Sequence, residues 1–121
     1  MSTAEDYLPL GQMLVSGGQW NGKRLLSPRT VELMSSVFVP DTMQGRRRGL
    51  GFGLSVEIVT DPIIGGRRQS QGTYGWDGAF GTAFWVDPKE KIVLVMMVQT
   101  DNPNRQVDRD FENAVMQAIV E

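Results

Sequence analysis

Residues 72–81 read GTYGWDGAFG, four glycines and three large rings set around one carboxylate, Asp77. Two readings stand for this stretch. Asp77-Gly78 is a good hairpin-turn signal, and the same residues could equally form one wall of an active site. The reactive side chains elsewhere narrow the chemistry. The chain has no histidine and no cysteine. The commonest general base and the commonest metal ligand are therefore missing, and with them a Ser-His-Asp triad, a thiolate nucleophile and a Cys/His zinc site. What remains as acid, base or nucleophile is a set of carboxylates, three lysines, two tyrosines, and serines and threonines.

A glycosidase pair needs two carboxylates facing across a cleft. Asp77 has no evident partner, because Asp87, Glu90 and Asp101 fall in predicted strand connections. A Ser–Lys pair shows as serine followed by lysine one helical turn later, and no serine here has a lysine three residues on. Lys23, Lys89 and Lys91 lie in predicted turns or at a strand edge. A phosphate loop is excluded because these glycines run into a strand, not into a helix through Gly-Lys-Ser/Thr.

The elements that must position these residues follow from the periodicity. STAEDYLPLGQMLVSGG opens with a capping box, Ser2 with Glu5. Tyr7, Leu10, Gly11 and Leu14 recur at helical spacing as a buried face, and Gly17-Gly18 stops the helix. Pro9 predicts a kink or a helix proper beginning near Leu8. Asn21-Gly22 suits a turn with positive φ. Ser27 then caps a second helix with Pro28 at its first position and Val31, Leu33 and Met34 on its apolar side.

From Leu50 the pattern becomes β. LGFGLSVEIVT alternates with Phe52, Leu54, Val56 and Ile58 on one face, and RRQSQGTYG is a polar strand candidate. AFGTAFWV and KIVLVMMVQT follow, joined by DPKEK. The last of these strands is apolar on both faces and is expected to be central and doubly covered. DRDFENAVMQAIVE returns to helical period with a stripe of Phe111, Val115, Ala118 and Ile119, and with Asp108 or Asp110 near its start. The fold class is α+β, an antiparallel sheet of about four strands covered by helices, in one domain over residues 1–121. Trp85 is expected in the core and Trp20 over the first helix, and the seven methionines read as core fillers.

Bulk composition adds little. With 40% hydrophobic residues, 21% charged and a net charge of −2, nothing points to nucleic acid or an anionic membrane. GRRRG at 45–49 reads as a solvated loop ahead of an anion site. No apolar run approaches the roughly 20 residues of a membrane span, and no secretion signal is visible at the start. The polypeptide reads as soluble, and its compartment is left open.

The order of segments carries more than any one of them. STAEDYLPLGQMLVSGGQWNGKRLLSPRTVELM, then GLGFGLSVEI, then GTYGWDGAFGTAFWVDPKEKIVLVMMVQ resembles the C-terminal third of the serine β-lactamase superfamily, in the branch of class C enzymes, related esterases and D-amino-acid peptidases. The resemblance covers nearly the whole chain. It aligns the family's third motif, Lys-Thr-Gly or Trp/His-x-Gly, with Trp76, Asp77 and Gly78, at the start of the strand lining the active site.

The resemblance implies that Trp76 shapes the acyl or leaving group, that Gly78 lets substrate approach the backbone, and that the Ala79 amide is one of two oxyanion donors. Asp77, in the motif's hydroxyl position, orients neighbours or ties down the turn. The family's Ser-x-x-Lys and Tyr-x-Asn elements are absent from these 121 residues. The expectation is a fragment of an acyl-transfer enzyme, acting in the parent on a lactam, ester or D-peptide. No metal or cofactor is expected, and the chain alone is expected to be inactive. It would pair with the missing N-terminal portion or with itself as a homodimer. The competing expectation is a non-catalytic module, with Trp76, Tyr74 and Trp85 as an apolar platform or an exposed sheet edge as its contact.

Overall fold

A computed structural model describes residues 2–100 and 106–120. Helix α1 spans Ala4–Val15; a small hairpin pairs β1 (Gln19–Trp20) with β2 (Lys23–Arg24); helix α2 is Pro28–Met34. Five strands follow, β3 (Leu50–Phe52), β4 (Glu57–Val59), β5 (Tyr74–Asp77), β6 (Ala83–Asp87) and β7 (Ile92–Met96), then helix α3 (Gln106–Gln117). The five strands form one antiparallel meander in chain order.

Local chemistry sets the boundaries. The cap of α1 is Thr3, not Ser2: its hydroxyl accepts from the Asp6 amide. Pro9 lies inside a helix that runs through it from Ala4. Ser27 caps α2 by accepting from the Thr30 amide, with Pro28 in its first turn as expected. Asn21 and Gly22 both take positive φ and turn the small hairpin. The predicted strand LGFGLSVEIVT is instead two strands joined by a tight turn at Leu54-Ser55. There the Gly53 amide donates to the Val56 carbonyl and Ser55 sits at φ 66°. Alternation breaks at that turn, which is why Leu54 is exposed while Val56 and Ile58 are buried. Within RRQSQGTYG only Tyr74 and Gly75 join a strand; residues 67–73 form bends and a turn.

The sheet is covered on both faces. Strand registry places Ile58, Tyr74 and Val86 on one side, packed with Met13, Leu14 and Val31 of α1 and α2. Trp85, Leu94, Ala83 and Met96 lie on the other, against Phe111 and Val115 of α3. Burying each such side chain contributes about 2 kcal/mol. On α1, Met13 is buried and Leu10 is exposed, an exchange with the predicted face; on α2 only Val31 is buried. β7 is doubly covered but stands at the end of the meander, not at its centre. Its apolar residues answer to two helices, so composition reported the faces and not the edges.

The face under α3 is also where charge is buried. The helix buries Asp108 and Glu112, while Ala118 and Ile119 of its predicted stripe are exposed. Glu112 accepts from Arg67 at 2.7 Å, and the same guanidinium lies 3.6 Å from Glu57 and 4.8 Å over the Trp85 ring. Arg47 and Arg46 also reach Glu57, at 2.8 and 3.3 Å. Two arginines of the GRRRG run therefore pair with a buried glutamate, Arg47 from a largely exposed position; Arg48, more exposed still, lies 3.6 Å from Asp41.

Candidate active site at the end of strand β5

Trp76 and Asp77 are the last residues of β5, and Gly78 opens the connection to β6. The motif thus sits where the strand ends, not where it begins. The loop is held from three sides. The Gly78 amide donates to the Thr82 carbonyl at 2.7 Å, the Gly81 amide to the Gly78 carbonyl, and the Thr100 amide to the Phe80 carbonyl at 2.9 Å. A Cβ on Gly78 would land on the Thr82 hydroxyl, so the close return of the chain requires glycine there. Ala79 and Phe80 project into solvent at the tip. Among the described residues, no acceptor engages the Ala79 amide.

Beside this loop lies a pocket of about 200 Å³ between the start of α1 and the ends of β5, β6 and β7. Tyr7, Trp76, Phe84 and Met97 give it apolar walls, Thr82 and Gly78 lie at the loop side, and Asp77 and Ala83 complete the lining. Tyr7 meets Phe84 edge-on with ring centroids 5.0 Å apart. Trp76, half exposed, meets the Phe52 ring edge-on at 5.1 Å. Arg46 lies 5.0 Å from the same Phe52 ring, and its other contact is Glu57.

Alternation divides the predicted site residues. Trp76 pairs with Phe84 on the α1 face, whereas Asp77 pairs with Ala83, which packs under α3. The Asp77 charge is felt on that side, where it helps to raise the Glu112 pKa. Tyr74 is buried in the core under α1, and burial pushes its phenol up to about 12. Trp85 is buried on the opposite face, in the core as expected. Tyr74 and Trp76 thus share the α1 face and Trp85 lies on the other, with Tyr74 and Trp85 both buried, so the three rings form no common exposed platform. Tyr7, Phe84 and Met97 were legible only as apolar positions, and the Phe52–Trp76 contact spans 24 residues with no local signal.

The beta-lactamase family model matches residues 1–118. This chain belongs to the beta-lactamase family. Protein Rv1367c of Mycobacterium tuberculosis is 36% identical over 81% of this chain, which spans 27% of that protein's length. Among solved structures, EstCE1, described as a hydrolase with promiscuous acyltransferase activity, is 27% identical with a TM-score of 0.77 over 95% of this chain and 30% of its own. A beta-lactamase from Mycobacterium bovis, 21% identical, shares the fold with a TM-score of 0.72, covering 96% of this chain and 44% of its own. This beta-lactamase family chain therefore corresponds to roughly a third of such proteins, and among its described residues no helix is long and apolar enough to cross a membrane.

Proposed function

We propose that this chain supplies the C-terminal, substrate-facing part of an acyl-transferring serine hydrolase, and that the nucleophile comes from polypeptide outside these 121 residues. The observation that carries this reading is the pinned loop after Trp76-Asp77-Gly78, with exposed Ala79 at its tip and a pocket against its side. In the reaction a serine hydroxyl, its proton taken by a base outside these residues, attacks the carbonyl carbon of a lactam, ester or D-peptide. The carbonyl π electrons pass to oxygen, giving an oxyanion whose collapse expels the protonated amine or alcohol and leaves the acyl group on the serine. The Ala79 N–H donates to that oxyanion as it forms. Such a donor is worth about 3 kcal/mol in the transition state and nothing without an attacking oxygen. Gly78 permits close approach of the substrate backbone, and Trp76 shapes the group next to the carbonyl. Asp77, paired with Ala83 at the end of the strand, completes the pocket lining from the loop side.

The partner is the N-terminal portion of such a hydrolase, or a second copy of the chain. β7 ends the meander, and the outer edge of such a strand is a template for another. The test is mass spectrometry after incubation with a serine-directed acylating probe, with the chain alone and with the upstream portion of a mycobacterial relative added. The expected result is no adduct and no ester turnover alone, and in the mixture an adduct on the added piece. An adduct on this chain alone, with turnover that survives purification, overturns the reading. A second reading, a non-catalytic module that binds through the β7 edge, is favoured if the mixture assembles and never turns over.

A further inference from the structure

Resting on the acyl-transfer reading, we infer that the pocket beside β5 is a subsite for one uncharged ring or a short branched alkyl group, and that it rejects anionic groups. Size is the first argument. A cavity of about 150 Å³ lined by apolar side chains takes up benzene, and this one measures about 200 Å³. It therefore has room for a single substituted ring, with its mouth open to solvent.

Chemistry is the second argument. Three aromatic walls, Tyr7, Trp76 and Phe84, with the Met97 thioether, offer edge and face contacts to a ring. Among the lining residues there is no lysine or arginine, and the one acidic residue is Asp77. A carboxylate entering here meets no counter-ion, while its desolvation is unfavourable. The Thr82 hydroxyl is the polar group suited to a neutral donor or acceptor on the ring.

The third argument is rigidity. Trp76 is half exposed, yet it is braced by Phe52, whose ring also carries the Arg46 guanidinium on its way to buried Glu57. A braced wall keeps the pocket open without a ligand. The substrate class that fits is an ester or amide with a neutral aryl or short branched alkyl group beside the scissile bond, in preference to one with a carboxylate there.

Binding needs no nucleophile, so the isolated chain serves for the test. Ligand-observed NMR with p-cresol and with p-toluate measures affinity, alongside Trp76→Ala and Met97→Phe, the latter filling the pocket. The expected result is saturable p-cresol binding, with p-toluate weaker by at least about tenfold. Each variant is expected to weaken p-cresol by about fivefold or more with an unchanged far-ultraviolet spectrum. Equal binding of the two probes, or p-cresol binding that survives both folded variants, overturns the assignment. Absence of p-cresol binding by a chain that still restores ester turnover with an N-terminal portion overturns the subsite and leaves the hydrolase reading intact. Ring binding without any such turnover supports the subsite and counts against the hydrolase reading alone.

Discussion

Glu112 shows how one residue can report on the whole α3 face. Burial raises its pKa, opposed chiefly by Arg67, with Asp77 adding to the rise. Because the folded-state pKa lies above the unfolded one, the protonated form is the one that folding favours. That contribution is fully present below the unfolded carboxylate range and is lost as pH rises through the raised value. Urea titrations of the Glu112→Gln variant are therefore expected to lack the part of the stability decline that the parent chain shows as pH rises above about 4.3. Glu112→Ala is expected to cost about 3 kcal/mol at neutral pH, because it removes the 2.7 Å carboxylate partner of buried Arg67 and leaves Glu57 at 3.6 Å. If Glu112→Ala unfolds at the same urea concentration as the parent, the charge network does not hold α3.

Elements differ in what fastens them. α1 is anchored by apolar packing, with Gly11 so close to Val93 that any side chain there would collide with it. α3 is anchored by a mixture, Phe111 and Val115 on apolar ground and Glu112 on Arg67. Removing the buried pair is therefore expected to loosen α3 and not α1, seen as earlier hydrogen exchange of α3 amides in Glu112→Ala with α1 unchanged. Caps matter equally at both early helices. Thr3→Ala and Ser27→Ala each remove a hydroxyl that accepts from a backbone amide, and each is expected to cost about 1 kcal/mol by chemical denaturation.

At the scale of the molecule, the meander ends on β7 with two helices over its faces and no sixth strand among the described residues. Exposed rings and aliphatics at Trp76, Phe80, Phe38, Val37 and Leu54 add apolar surface. Both features fit the association proposed for this chain. Light scattering at rising concentration is expected to move from monomer toward a two-fold dimer, and an added N-terminal portion is expected to compete with that association. A single monomeric mass at millimolar concentration, with or without the added piece, is the contrary result.

The Ser27 cap with Pro28, the Asn21-Gly22 turn and the apolar strands AFGTAFWV and KIVLVMMVQT were legible in the chain, because caps, turns and apolar patterning are short-range physics. Four things were not. The division of LGFGLSVEIVT depends on the Met34 carbonyl holding the Leu54 amide, a contact 20 residues long in sequence. The edge position of β7 depends on which strands are present to pair with it. The pocket joins Tyr7 to Phe84 and Met97, and the buried ion pairs join Arg67 to Glu112; both are set by helix packing across the sheet. Local periodicity decides what each segment is, and only the folded chain decides which residues far apart in sequence come within reach of one another.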